Sequence, residues 1–269
     1  MLAPNLDLLA WSDKTKKVGK YPYIAVFKKD GKTLVYLASE HSAQKTFEMV
    51  DFAFAKFQPG VAVVEYKNKR FAIPLSGKGY FHESVYTAAV AARNNIPVVL
   101  ADIGYSEEAC KRAYELSGNA EWTIKAFYLR WIITNMLLHE RQFGTKTTLA
   151  KEIKNFTSII YKDWMGVPLT EDEIKELFKS EFGVDFDPMN LAEVLPRGWK
   201  TPKESGTIIN RFCNYADYYA RDPFMIQNIT NALNKYDVVF AVFGEGHYRT
   251  QRLVLEDMMG TPEYIWGAE

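Results

Sequence analysis

Three short apolar runs, rich in β-branched residues, constrain the fold of this chain more than any other feature. They cover residues 61–64, 98–101 and 238–243. A strand with one face in water alternates apolar and polar residues, whereas an uninterrupted apolar strand is buried on both faces, as in a parallel sheet covered by helices. Stretches with apolar residues at helical spacing separate these runs. The pattern therefore predicts an α/β fold with a mostly parallel central sheet flanked by helices.

The start and the middle of the chain depart from this alternation. Asp30-Gly31 separates two β-branched or apolar runs, residues 23–27 and 33–38, which is typical of a hairpin. Residues 121–219 carry few strand signals, and they are predicted to form four helices with a long loop at 183–202. The four predicted helices are 121–143, 147–164, 170–182 and 205–219. We therefore predict a discontinuous α/β core of residues 1–120 and 220–269, and a helical insert of residues 121–219. If the insert folds back over the strand ends, it forms a lid that selects the substrate.

Charge and apolar content exclude several classes of partner. Basic and acidic side chains number 33 each, so the formal net charge is zero and does not favour nucleic acid or an anionic membrane. No apolar stretch approaches the roughly 20 residues of a membrane-spanning helix. Cys110 and Cys213 are isolated in the sequence, which favours free thiols in the cytoplasm. A secreted or periplasmic protein with a trimmed signal peptide is the alternative, and the oligomeric state is not readable.

Polar residues follow each core strand, at the point where the strand is predicted to end. In open α/β sheets, binding sites form at the carboxyl ends of the strands. Two of the four histidines of the chain fall there, with several carboxylates. In chain order these residues are Ser39, Glu40 and His41, then Glu65, then Asp102, and finally Gly244, Glu245, Gly246 and His247. Parallel neighbouring strands would bring these residues to one edge of the sheet.

Imidazole and carboxylate groups at one edge allow two kinds of chemistry. Two neutral imidazoles and a carboxylate can ligate a divalent metal, or they can act as base, acid and orienting partner without a metal. Each residue alone is more often structural than functional, and His82-Glu83, which opens a helix, is interpreted as structural or supporting. The guanidinium of Arg221 suits a carboxylate or a phosphate, and a helix-terminal ion pair is the equal alternative.

The order of these short motifs resembles a known pattern. The chain is similar to the superfamily that joins the TraB/PrgY and Tiki proteins, the erythromycin-esterase-like enzymes and the ChaN-like haem-binding proteins. The resemblance covers residues 1–116 and 205–269, with Ala38 in place of the first glycine of the pattern. It rests on the segments Ala38-Ser39-Glu40-His41, Val63-Val64-Glu65-Tyr66, Arg221-Asp222-Pro223-Phe224-Met225 and Gly244-Glu245-Gly246-His247.

The resemblance implies a site and a reaction class. His41, Glu65 and His247 would ligate a divalent metal such as Zn, Mn or Co. Arg221 would stabilise negative charge on the substrate and Asp222 would orient it, while Ser39 and Asp102 would support the ligands. Glu40 or Glu245 would act as general base.

The function predicted on these grounds is a metal-dependent hydrolase of the TraB/Tiki type that cleaves a peptide or ester bond in a peptide or small molecule. Two alternatives stay beside it. One is a metal-free hydrolase of the erythromycin-esterase-like type. The other is a non-catalytic module that binds a small molecule or haem, or that signals, through the same pocket.

Overall fold

The structure is a computed structural model, and it describes residues 1–11, 18–41, 43–66, 82–104, 107–118, 120–159, 170–188, 191 and 208–267. The chain divides into two compact units. Unit 1 comprises Met1–Ala109 and Asp217–Glu269, and unit 2 comprises Cys110–Ala216. The central unit thus begins at Cys110 rather than at the predicted residue 121, and it ends at Ala216 rather than at residue 219.

A six-stranded mixed sheet forms the centre of unit 1. Its order is β4-β3-β5-β2-β1-β6. Strands β2, β5, β3 and β4 are parallel, and β1 is antiparallel to both β2 and β6. The predicted α/β class with a mostly parallel sheet is confirmed. The strands are β1 (Tyr23–Lys29), β2 (Lys32–Ser39), β3 (Val61–Val64), β4 (Val98–Leu100), β5 (Val238–Gly244) and β6 (Glu263–Ile265).

The predicted hairpin is the β1–β2 pair. Asp30 and Gly31 connect the two strands with φ values of 50° and 75°. Two consecutive residues with positive φ match the right-handed twist of a two-residue hairpin, and Asp-Gly is favoured there because glycine has no Cβ. The sequence did not predict the three-residue strand β6, which pairs with β1 at the sheet edge, because so short a run carries little periodicity.

Four described helices of unit 1 contribute to two apolar cores, which explains why the central strands β3 and β5 carry no charged side chains. Helices α1 (Gln44–Phe57) and α2 (Glu83–Arg93) pack with alternate strand residues such as Ile24 and Val26. Helices α8 (Asp222–Leu233) and α9 (Glu245–Met259) pack with the intervening residues, such as Ala25 and Phe27. A short 3-10 helix, Leu6–Leu8, precedes the first strand.

Unit 2 is helical in all of its described elements. They are α3 (Glu107–Leu116, which begins in unit 1), α4 (Glu121–Phe143), α5 (Leu149–Ile159), α6 (Glu171–Phe182) and α7 (Ile208–Ala216). Thr170 begins α6 with a capping box to Glu173. The last part of the predicted helix 147–164 and most of the predicted loop 183–202 lie outside the described residues.

The predicted helix 205–219 ends earlier than expected. Helix α7 stops at Ala216, and a π-helical turn, Asp217–Arg221, follows it. Helix α8 then starts at Asp222, directly after this turn. Pro223 is compatible with this start because the first helical turn lacks intrahelical N–H acceptors. Among the described residues, no helix combines the length and apolarity needed to cross a membrane.

Candidate functional site

The parallel strands bring the predicted polar residues to one edge of the sheet, here called the carboxyl edge. Ser39 at the end of β2 is level with Gly244 at the end of β5, and Val64 of β3 is level with Leu100 of β4. The segment 244–247 is not a free turn, because β5 extends to Gly244 and α9 begins at Glu245. His247 therefore lies in the first turn of a helix, a position that fixes its direction more firmly than a loop would.

Gly244 leaves room for a side chain from the neighbouring strand end. A Cβ atom at this position would lie 2.8 Å from Nε2 of His41 and 3.6 Å from Oε2 of Glu65. The N–H of Gly244 also donates a hydrogen bond of 2.8 Å to Oε2 of Glu65. The glycine of the late motif is thus explained by close packing at the site, since its φ of −55° would suit any residue.

A network of ionisable side chains, here called the buried network, lies at this edge, and all of its members except Asp217 are at most 10% exposed. Its six members are Glu65, Asp102, Asp217, Arg221, Asp222 and His247. Its centre is the guanidinium of Arg221, whose side chain is 7% exposed. Nε and Nη2 donate to the two oxygens of Asp102 at 2.9 and 2.8 Å. Nη1 donates to Asp217 at 2.6 Å, and Nη2 donates to Oε1 of Glu65 at 3.1 Å.

These contacts change the role expected of Arg221. A guanidinium has five N–H donors, and four hydrogen bonds to three carboxylates occupy most of them. Arg221 ends the π-helical turn and Asp217 starts it, so the two side chains lie one turn apart on the same face. Single π-helical turns are frequent at functional sites, where they re-aim a side chain. Here the turn aligns Asp217 with Arg221, and the guanidinium forms ion pairs with carboxylates of the protein itself.

His247 lies between two carboxylates of the network. Its Nδ1 is 3.0 Å from Oδ1 of Asp222, and its Nε2 is 3.4 Å from Oε1 of Glu65. Asp222 was expected to orient Arg221, but it contacts His247 instead. Burial alone would lower the pKa of His247, but the charges of Asp222 and Glu65 outweigh it and raise this pKa well above 6.5. Both ring nitrogens thus face carboxylate oxygens, an arrangement that favours the protonated ring.

The two carboxyl partners of His247 respond differently to burial. Burial acts to raise the pKa of Glu65, yet His247, Arg221 and His41 outweigh it, and this pKa falls well below the ordinary value. For Asp222, burial outweighs His247 and Gln251, so the pKa of this carboxyl is raised. Glu65 is accordingly the firmly ionised carboxylate of the network.

A second cluster at the carboxyl edge consists of His41, His82 and Glu83, and it is here called the half-exposed group. Nδ1 of His41 is 2.5 Å from Oε1 of Glu83, and Nδ1 of His82 is 3.6 Å from Oε2 of the same carboxylate. The side chains of His41 and His82 are 52% and 38% exposed, whereas that of Glu83 is fully buried. Ser39 donates a hydrogen bond of 2.9 Å to Oε1 of Glu83.

The charges of the half-exposed group follow from these contacts. Burial would raise the pKa of Glu83, but the hydrogen bond and charge of His41 and the charge of His82 lower it to about 2. Burial would lower the pKa of His41, but Glu83 and Glu65 reverse the effect and raise it. Near neutral pH the buried Glu83 is thus an anion held against a solvent-accessible imidazole.

The half-exposed group is the one that fits a metal ion. One ligand atom from each of His41, His82 and Glu83 lies within 4.8 Å of the others. Among the described residues, this is the only group of three or more histidine, cysteine, aspartate or glutamate side chains with such a spacing. Two imidazoles and a glutamate are a known ligand set for catalytic zinc. The predicted triad shares only His41 with it, since Glu65 and His247 are engaged in the buried network.

The charge balance of the edge favours a cation. Five carboxylates from the two groups lie near a single guanidinium and three imidazoles. Excess negative charge at a partly buried site is stabilised by a bound divalent cation. The five carboxylates are those of Glu65, Glu83, Asp102, Asp217 and Asp222.

The two predicted general bases lie outside both groups. Glu40 is exposed, and its backbone carbonyl accepts a hydrogen bond of 2.9 Å from Oγ1 of Thr46. The carboxylate of Glu245 is 11% exposed and lies 3.8 Å from Nε of Arg249. Its charge also acts on Tyr23, a residue of β1. Of the two, Glu40 is the one adjacent in sequence to His41.

The prediction from sequence did not assign functional roles to His82, Glu83 and Asp217. His82 caps α2 by accepting from the N–H of Ser84 at 3.3 Å, so a structural interpretation was sufficient for it. The available signal was a His-Glu pair at a helix start in a chain with only four histidines. Asp217 carried no signal, because the π-helical turn that aligns it with Arg221 has no sequence signature.

The chain was compared with protein-family models, curated proteins and solved structures, and none of them matches it. The resemblance to the TraB/PrgY–Tiki, erythromycin-esterase-like and ChaN-like superfamily therefore stays a prediction from the motifs.

Proposed function

We propose that this protein is a metal-dependent hydrolase whose divalent metal is held by His41, His82 and Glu83, and that it cleaves a peptide or ester bond. The observation that carries the proposal is the convergence of three ligand-type atoms within 4.8 Å at the carboxyl edge. Three protein ligands leave coordination positions for water and substrate, as in catalytic rather than structural zinc sites. Zn, Mn and Co all accept this mixture of imidazole and carboxylate ligands.

When bound, such a metal supplies Lewis-acid chemistry and lowers the pKa of a coordinated water to about 7. The remaining functions belong to side chains of this protein. Ser39 fixes the buried oxygen of Glu83, which aligns the carboxylate with His41. The exposed Glu40 is the candidate general base, because it neighbours His41 in sequence and is open to solvent.

The buried network holds the frame of this site. Glu65 accepts from the backbone of Gly244, from Arg221 and from His247, and so joins the ends of β3 and β5 to the helical residues behind them. Since His41 packs against Gly244, fixing Glu65 also fixes the surface on which His41 rests. In this proposal Glu65, Arg221 and His247 are positioning residues.

One observation favours a second candidate, a metal-free hydrolase. The 2.5 Å contact between Glu83 and Nδ1 of His41 is the arrangement in which a buried carboxylate orients a histidine base. The side chain of His41 is 52% exposed, and its Nε2 lies beside Gly244, where a Cβ would be 2.8 Å away. In this case His41 takes the proton from water or from the substrate nucleophile.

Metal analysis of histidine variants tests the first proposal. We expect the purified protein, after incubation with Zn²⁺, Mn²⁺ or Co²⁺ and desalting, to retain stoichiometric metal. His41→Ala and His82→Ala should lose it because each removes a ligand. His139→Ala is the matched control, since this histidine belongs to unit 2 and contacts the carbonyl of Thr145. Full metal content in His82→Ala, with folding verified by circular dichroism, would show that the ligand assignment is wrong.

Chelation separates the two candidates. Hydrolysis of p-nitrophenyl esters and of a mixed peptide library should stop with EDTA and return with added metal if the first candidate is right. Activity that survives EDTA but is lost in His41→Ala supports the metal-free base. Absence of hydrolysis under both conditions contradicts both candidates, and a haem titration that shifts the Soret band would then favour a binding module.

A further inference from the structure

A chain of four buried polar side chains runs from the middle of the sheet to the carboxyl edge. The hydroxyl of Tyr36 donates to Oε1 of Gln251 at 3.0 Å, and Nε2 of Gln251 donates to Oδ1 of Asp222 at 2.5 Å. The same Asp222 oxygen is 3.0 Å from Nδ1 of His247. Tyr36, Gln251 and Asp222 are fully buried, and His247 is 9% exposed.

The surroundings of this chain are apolar. The ring of Tyr36 packs against Phe243 and Tyr248, with centroids 5.6 and 5.0 Å apart. The sulfur of Met225 lies 3.4 Å from Nε2 of Gln251. An amide buried among such groups carries a desolvation cost that leucine or methionine would avoid. A glutamine at this place therefore points to a use for its two hydrogen bonds.

Those two hydrogen bonds determine the orientation of the amide. Reversing it would bring Oε1 against a carboxylate oxygen and Nε2 against the tyrosine hydroxyl. Burial raises the pKa of Tyr36 well above its ordinary value, so the hydroxyl keeps its proton and donates. Tyr36 thus anchors Gln251 with its N–H directed at Asp222.

Asp222 depends on Gln251 for one of its two donors. Within the described part of the chain, its Oδ1 accepts from Gln251 and His247, while its Oδ2 is buried and has no hydrogen-bond partner. Gln251 follows His247 by one turn of α9, so both side chains lie on the same helix face and reach the same oxygen. Without Gln251, His247 alone would hold this carboxylate.

We propose that Gln251, anchored by Tyr36, is a positioning residue that fixes the Asp222 carboxylate and thereby the ring of His247 in the direction that pairs with Glu65. The inference deepens the proposed function and rests on it, because the orientation of Glu65 beside His41 and Gly244 affects function only if the carboxyl edge is an active site. Its test, however, uses neither substrate nor metal.

The test follows the ring proton of His247 by NMR. A proton shared between Nδ1 and a buried carboxylate gives a downfield resonance that exchanges slowly with water, and the resonance is assigned by its loss in His247→Gln. In Gln251→Met, which keeps the side-chain volume, we expect this signal to disappear or to exchange at least about tenfold faster, the factor for one lost hydrogen bond to a charged group. Tyr36→Phe, which removes only the anchoring hydroxyl, should produce a smaller change in the same direction.

Thr250→Val is the matched control. Thr250 is a buried neighbour on the same helix, and its hydroxyl donates to the carbonyl of Gly246, outside the chain of four. We expect it to leave the His247 proton unchanged even if stability falls. An unchanged His247 signal in both Gln251→Met and Tyr36→Phe, with stability alone reduced, would overturn the inference and leave Gln251 as core packing. That result would not bear on the metal and hydrolysis tests, which address the half-exposed group.

Discussion

The buried network and the half-exposed group share one edge of the sheet but differ in what they leave open. In the network, side chains that are 7–10% exposed at Arg221, Glu65 and His247 contact one another. In the half-exposed group, only Glu83 is buried, and the two histidines reach solvent at 52% and 38%. Both contain imidazoles and carboxylates, so residue type alone does not distinguish them.

The difference assigns them different tasks. A buried ion pair contributes little net stability, because desolvation offsets the attraction, yet breaking it leaves an uncompensated charge and is costly. Such a network is suited to fixing geometry. The half-exposed group has a fixed carboxylate and two imidazoles that reach solvent, which is the combination needed to take up a ligand. Three experiments test this difference between the buried network and the half-exposed group.

The largest effect is expected for Arg221→Met. This change leaves the buried carboxylates of Glu65 and Asp102 without their shared cation, and we expect a loss of about 3–5 kcal/mol in the free energy of unfolding. Urea denaturation measures it. Arg112→Met is the control, since Arg112 is 54% exposed in a pair with Glu115 and should change stability by less than about 0.5 kcal/mol. Equal small losses in both variants would contradict the network.

A smaller effect concerns the pH dependence of His247. Its pKa is raised on folding, so its contribution to stability is fully present below the ordinary value of 6.5 and is lost as pH rises through the folded value. From pH 6.5 upward, the unfolding free energy should fall relative to that of His247→Gln by up to about 1.4 kcal/mol per pH unit. Chemical denaturation between pH 6 and 9 checks this slope. Parallel profiles of the two proteins would show that His247 is not a buried imidazolium.

The smallest effect on stability, with a large effect on the site, is expected for Gly244→Ala. The new methyl group would lie 2.8 Å from Nε2 of His41, and this half-exposed ring can move away. We expect a stability loss of about 1 kcal/mol or less but loss of the metal retained by the wild type. Gly246→Ala is the control, because its Cβ would meet no described atom within 4 Å. Full metal retention in Gly244→Ala would contradict the assignment of His41 to the metal site.

Much of the fold was predictable because its signals are local. The apolar runs that became β3, β4 and β5 have no polar alternation, and burial on both faces of a parallel sheet is the arrangement that satisfies them. The Asp30-Gly31 turn and the Thr170 capping box are likewise set by residues close in sequence. The common direction of the parallel strands places His41, Glu65 and Asp102 at one edge.

The separation of the polar residues at that edge into the buried network and the half-exposed group was not predictable. Helix α2 brings Glu83 to His41 across 42 positions of sequence, and the π-helical turn sets Arg221 against a carboxylate 119 positions away. No local sequence pattern predicts either of these two contacts.

Local sequence patterns are therefore sufficient to predict the sheet, its direction and the edge that carries the polar residues, because periodicity and turn chemistry act within a few residues. The placement of Glu65 and His247 in the buried network, and of His41 beside His82 and Glu83, follows only from the folded structure. That placement depends on packing between elements distant in sequence, where differences of a few ångströms separate a paired ion from an open ligand.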